Sequence, residues 1–117
     1  MPLRFTHRLH MAGADMDCRV ALAQSFLQRL RGLLGHPPLR AGQALWLARC
    51  SSIHTLGMRY PIDVVFLNRA GQVTKVCEAV PPLAARGSLG AASALEFRAG
   101  EAARFGIQPG MHVAWTN

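Results

Sequence analysis

The sequence predicts an α+β domain that is mainly β: a curled sheet or small β-barrel with one main helix, over about residues 25–34, packed on it. Three observations carry this. Strand-length apolar runs recur along the chain, while a single segment repeats with helical period. Consecutive runs are joined by turns rich in Gly and Pro more often than by anything long enough to be a crossover helix. With 117 residues, half of them hydrophobic, the chain has material for one core and no more. A single domain over 1–117 follows, with residues 1–16 as an N-terminal arm.

Cys18, Val20 and Leu22 alternate within Cys18 to Gln24 and predict a first strand. Ser25 then offers an N-cap, Gln28 completes a capping-box pattern three residues later, and Gly35 stands where a helix ends in a left-handed conformation. On a wheel of about 100° per residue, Phe26, Leu27, Leu30, Leu33 and Leu34 share one face, with Arg31 beside the stripe. Gly32 costs about 1 kcal/mol relative to alanine inside a helix, so its presence predicts a close approach by another backbone.

His36-Pro37-Pro38 stops that helix, and Ala44 to Ala48 forms a short buried strand. Pro61 biases Tyr60 toward extended backbone, and Ile62 to Leu67 is apolar on both faces except at Asp63, which suits a central strand. Asn68 to Gly71 is a tight turn, and Gln72 to Val80 returns as a hairpin partner ended by Pro81-Pro82. The small, glycine-containing stretch Leu83 to Ala92 reads as a surface loop. Leu95, Phe97 and Ala99 alternate with Glu96 and Arg98 as a half-buried strand, Glu101 to Phe105 as a helical turn closed by Gly106, and Met111, Val113 and Trp115 as the last strand.

Composition excludes several function classes. No apolar run approaches the roughly 18–20 residues of a membrane helix, and the N-terminal cations are not followed by an apolar stretch, so a soluble, cytoplasmic protein is expected. Cys18, Cys50 and Cys77 lack the spacing of a zinc finger or a redox pair and read as buried thiols of a reducing compartment. The formal charge of +7 comes almost wholly from arginines scattered along the chain, with Lys75 the only lysine. That pattern raises affinity for polyanions in general without marking a nucleic-acid groove, so no specific nucleic acid is expected.

Three stretches carry a family resemblance. Leu30-Arg31-Gly32-Leu33, the run from Ser52 to Leu67 (SIHTLGMRYPIDVVFL), and Leu95-Glu96-Phe97 with Ala99-Gly100 and Gly106-Ile107 together resemble DUF192, also written UPF0127, small bacterial and archaeal domains of unknown function. The resemblance spans about Cys18 to Val113. It implies a compact β-rich fold with one main helix and carries no established activity. Other members are similar but bear an export signal and a Trp-Met-Lys-Asn-Thr version of the middle motif, where this chain has His54 and Thr55.

The candidate chemistry gathers between Cys50 and Asn68. His54 is the side chain that titrates nearest neutrality; its structural alternative is a loop histidine bonded to a backbone carbonyl. Asp63 would be costly if buried unpaired, so it must find Arg59, Arg31, His54 or backbone N–H groups. Arg31 and Arg59, with the hydroxyls of Ser51, Ser52 and Thr55, would make an anion-recognising concavity, unless they serve in salt bridges to Asp63 and Glu96. A Cys50–His54–Asp63 nucleophilic arrangement lacks an oxyanion-hole motif, and Cys50, His54 and Cys77 as metal ligands would need a regular strand. The remaining histidines, His7, His10, His36 and His112, have no ligand-like spacing and read as exposed.

The leading expectation is a non-catalytic binding or accessory domain for a small anionic ligand or a protein partner, without cofactor or metal, using Arg31, Ser52, His54, Thr55 and Arg59. The alternative is a small hydrolase or transferase with His54 as general base and Asp63 orienting it.

Overall fold

The computed structural model describes residues 3–23, 25 and 33–117. The helix expected over 25–34 therefore falls, apart from Ser25, Leu33 and Leu34, outside the described residues, and so do Arg31 and Gly32. Among the described residues the chain is mostly β. In order come β1 (His7–Met11), β2 (Ala14–Ala23), β3 (Gln43–Ala48), β4 (Ser52–His54), β5 (Ile62–Leu67), β6 (Val73–Val80), β7 (Ala85–Gly87), β8 (Ser93–Arg98), the short helix α1 (Glu101–Arg104) and β9 (Val113–Thr116).

Seven strands form one sheet in the order β6-β5-β8-β3-β2-β1-β9, and β4 and β7 form a separate two-stranded sheet. All pairings are antiparallel except β2 with β3, the one step that needs a long crossover, here residues 24–42. The sheet is curled but not closed. Its outer strands meet only at a bridge between Gln72 and His112, where Val113 N–H donates to Gly71 O at 2.8 Å and Val73 N–H to Met111 O at 2.8 Å.

Alternation along the strands sorts the apolar side chains onto two faces, because successive residues of a strand point to opposite sides. Leu9, Val20, Trp46, Val65, Leu95, Phe97 and Val113 share the inner face with Ala102 and Ile107 from the α1 region. Ala21, Leu45, Leu47, Ile62, Val64 and Phe66 share the other, which is covered by Leu33, Leu39, Ile53, Met58 and Tyr60 from the connecting segments. The central strand β5 is buried at all six positions, as its run, apolar except at Asp63, predicts. Burial of Phe66 and Phe97, one on each face, stabilises the fold by about 1.5–3 kcal/mol apiece.

The structure departs from the sequence reading in three places. Residues 7–16 are not an arm: β1 and β2 form a hairpin whose turn, Ala12 and Gly13, has φ of 52° and 80°. Both values suit a type I′ turn, but alanine in the first position is not the residue that announces one. Within the 83–92 loop, β7 pairs with β4 over Ser52–Gly87, Ile53–Arg86 and His54–Ala85. Glu96 does not face solvent. β8 lies between β5 and β3, so both its faces are covered and Glu96 is 4% exposed.

Candidate functional site

The Ser52–Pro61 segment is held to the Val80–Ala84 segment by one residue. Thr55 is fully buried, its hydroxyl donates to Pro81 O at 2.6 Å and accepts from Ala84 N–H at 2.8 Å. Its backbone N–H donates to Ala84 O at 2.8 Å, and its carbonyl accepts from Met58 N–H at 3.1 Å and Leu83 N–H at 3.2 Å. The loop beyond it turns back through Gly57 at φ +82°, where a Cβ would lie 2.6 Å from Leu34 Cδ1. Glycine thus lets this loop approach the 33–38 segment closely.

Between those two segments lies a cleft of about 710 Å³, lined by residues 33–38 and 57–60. Leu33, Pro37, Pro38 and Met58 give it apolar walls, and His36, Arg59 and Tyr60 supply its polar groups. Tyr60 ties the sides together, its hydroxyl donating to His36 O at 2.8 Å. Burial, and secondarily the charge of Glu96, push the Tyr60 phenol above its usual range. Glu96 sits behind this wall. Its register partners, Leu45 and Val64, belong to the face that Tyr60 and Met58 cover. Its Oε1 is buried with no hydrogen-bond partner among the described residues, and burial raises its carboxyl to about 7.

Asp63 has a different environment. The carboxylate points to the inner face, fully buried, where Oδ1 accepts from Ala79 N–H at 2.8 Å and Oδ2 from Gly100 N–H and Ala102 N–H, each at 2.9 Å. The Ala79 N–H is available because β6 carries a bulge: pairing shifts between Ile62–Val80 and Val64–Cys77, and Ala79 has φ 48°. The other two groups open α1, so a strand carboxylate caps a helix that lacks a side-chain cap of its own. Backbone N–H groups are thus the partners Asp63 finds, but they come from β6 and α1 and not from the preceding loop.

The predicted site residues do not all meet. Ser52 and His54 are exposed on one side of β4, with Ile53 turned into the core between them. Thr55 is consumed by its backbone partners, Arg59 is exposed at the cleft, and Arg31 lies outside the described residues. The acid–base pair of His54 and Asp63 is not formed: β4 packs through Ile53 on one face of the large sheet, Asp63 points to the other, and its oxygens serve backbone donors. Cys50 Sγ donates to Ser52 O at 3.0 Å, while Cys77 is buried on β6. Burial raises the Cys18 thiol to about 12, which leaves it inert as a nucleophile. No group of three His, Cys, Asp or Glu among the described residues is placed to hold a metal.

Sequence reasoning missed His36, Tyr60 and Glu96. The Pro37-Pro38 pair, which the sequence offers only as a helix stop, forms the wall opposite Tyr60. Glu96 carried one usable signal, a carboxylate inside the run Ala94 to Phe97, which an alternating reading places on the solvent side.

The family profile of DUF192, described as an uncharacterised ACR, matches residues 8–115. Among solved structures, the fold is similar to a protein of unknown function from Novosphingobium aromaticivorans DSM 12444, with a TM-score of 0.82 and 22% identity over 93% of this chain and 83% of that one. It is likewise similar to a candidate transcription regulator from Sinorhizobium meliloti 1021, with a TM-score of 0.83 and 22% identity over 98% of both chains. A comparison with curated proteins finds no match. At this identity the solved structures speak for the fold alone, whereas the profile spans nearly the whole chain: the protein belongs to the DUF192 family.

Proposed function

We propose that this protein is a non-catalytic binding domain whose ligand is a small molecule with an apolar body and an anionic end. The observation that carries this reading is the cleft between residues 33–38 and 57–60. Its volume of about 710 Å³ falls in the range of roughly 300–1,000 Å³ that small-molecule sites occupy. Its lining has the usual division of labour, with apolar walls for affinity and a few polar groups for orientation. Arg59 is the anion-binding group, since a guanidinium offers a planar fork to carboxylate or phosphate. Thr55 acts as a positioning residue, holding the loop that presents Arg59. Ser52 and His54, on the outward side of β4, and Arg31, two residues before Leu33 in sequence, complete the proposed set.

The test is a thermal-shift titration with octanoate and benzoate, two carboxylates with apolar bodies. A saturable rise in melting temperature is expected for the wild type. It should be lost in Arg59→Ala, whose melting without ligand is expected to stay close to wild type because Arg59 is exposed. An equal rise in Arg59→Ala would remove the reading.

A further inference from the structure

We propose that the mouth of the curled sheet is a second binding site, for a small planar aromatic anion of mononucleotide size. There the end of β3, the Asn68–Gly71 turn, the start of β8 and the strand β9 surround a cleft of about 490 Å³, lined by Trp46, Arg49, Arg69, Ser93, His112 and Trp115 among others. This too lies in the range of small-molecule sites, roughly 300–1,000 Å³.

The cleft follows from the way the sheet closes. The β5–β6 turn seats against β9 through the Gln72–His112 bridge and the bond from Val113 N–H to Gly71 O. Gly71 permits that contact: it has φ +82°, and a Cβ there would lie 2.8 Å from His112 Nε2 and 3.1 Å from Val113 O. No ladder joins β6 to β9 beyond this point, so the sheet stays open and the two indoles become part of its rim. Trp46 is 9% exposed and anchored in the inner core. Trp115 is held edge-on against the His7 ring, with centroids 4.9 Å apart.

The lining has a single sign of charge. Arg49 and Arg69 contribute guanidinium groups, His112 an imidazole that can donate or accept, and no Asp or Glu among the described residues lines the cleft. An arginine fork selects phosphate or carboxylate, and apolar walls concentrate the field of such a group. Indole surface selects a ring, since aromatic contact is tolerant of the identity of the base. Anion and ring within one open cleft describe an aromatic anion. Single-stranded nucleic acid offers the same two groups, but it needs a basic groove that tracks several nucleotides, and the arginines of this chain are scattered.

Trp46 and Trp115 are the only tryptophans of the protein and both line this cleft, so a ligand entering it is read by indole emission. The full chain is titrated with AMP, and separately with adenosine and inorganic phosphate, while emission is followed. Saturable quenching by AMP is expected, with adenosine and phosphate each binding at least about tenfold more weakly. Arg69→Ala, in an exposed turn, should weaken AMP by about tenfold at unchanged melting temperature, whereas Arg59→Ala should leave it unaffected. The proposal is overturned by an absence of saturable quenching, by equal affinity for phosphate alone, by wild-type affinity in Arg69→Ala, or by an oligonucleotide binding much more tightly than AMP. Loss of carboxylate binding at Arg59 would leave this outcome untouched, so the two sites fail separately.

Discussion

Two buried carboxylates show how much of this protein is decided atom by atom. Asp63 and Glu96 interrupt neighbouring central strands, and both are almost wholly removed from water. Asp63 is satisfied by three backbone N–H groups, while Glu96 leaves one oxygen without a partner among the described residues. The folded protein therefore holds the Glu96 proton up to about pH 7, whereas an unfolded chain releases it near the ordinary 4.5. Between those values the folded state binds more protons than the unfolded state. Stability attached to this group is present at acid pH, falls as pH rises through that window, and is lost above the folded value. Glu96→Gln keeps the shape without the charge. It is expected to change stability little near pH 4 and to raise it by on the order of 3 kcal/mol near pH 8. Urea denaturation of both proteins across that range checks it, and a difference that does not grow with pH would count against a buried, titrating Glu96.

At the scale of elements, short pieces are fixed by what they lean on. β4 and β7 are three residues each, too little for an independent hairpin, and they persist because Ile53 enters the core and Thr55 clamps the loop behind them. α1 has four residues and depends on Asp63 at its start. Thr55→Val preserves volume but strands Ala84 N–H and Pro81 O, so it should destabilise the protein by about 2 kcal/mol. Hydrogen exchange is expected to accelerate at Thr55, Leu83 and Ala84 well before the central strands β5 and β8 respond. Uniform acceleration throughout the sheet would mean that the clamp is not local. Much of this level was legible in the sequence: the runs at Ala44–Ala48, Ile62–Leu67 and the Asn68–Gly71 turn announce themselves by hydrophobicity and turn chemistry. β1 and β7 do not, because Ala12-Gly13 is a poor turn signal and Ala85–Gly87 has no apolar face.

For the whole molecule, the governing feature is a sheet that curls until its outer strands touch without closing. The contact rests on Gly71, and adding a methyl group there meets a left-handed backbone, the Val113 carbonyl of β9 and the His112 ring just before it. Gly71→Ala is expected to cost about 1–3 kcal/mol and to speed amide exchange at Val73 and Val113, whose N–H groups bond across the junction. If exchange at those two amides is unchanged, the edge contact does not depend on this glycine. The same near-closure leaves one cleft at the mouth of the sheet, while the loops covering the other face leave the second.

The sequence by itself determined the family, the mainly β class and the central strand, because these depend on residue periodicity and on a motif read along the chain. It also marked Asp63 as a residue that had to find partners. Only the tertiary structure decided which partners these were, that His54 and Asp63 stand on opposite sides of a sheet, and that Glu96 is buried under the segments covering the other face. Strand order is the physical reason. A side chain's surroundings are set by the strands placed beside its own, and β8 is flanked by β3 and β5, which precede it in sequence by some 50 and 30 residues.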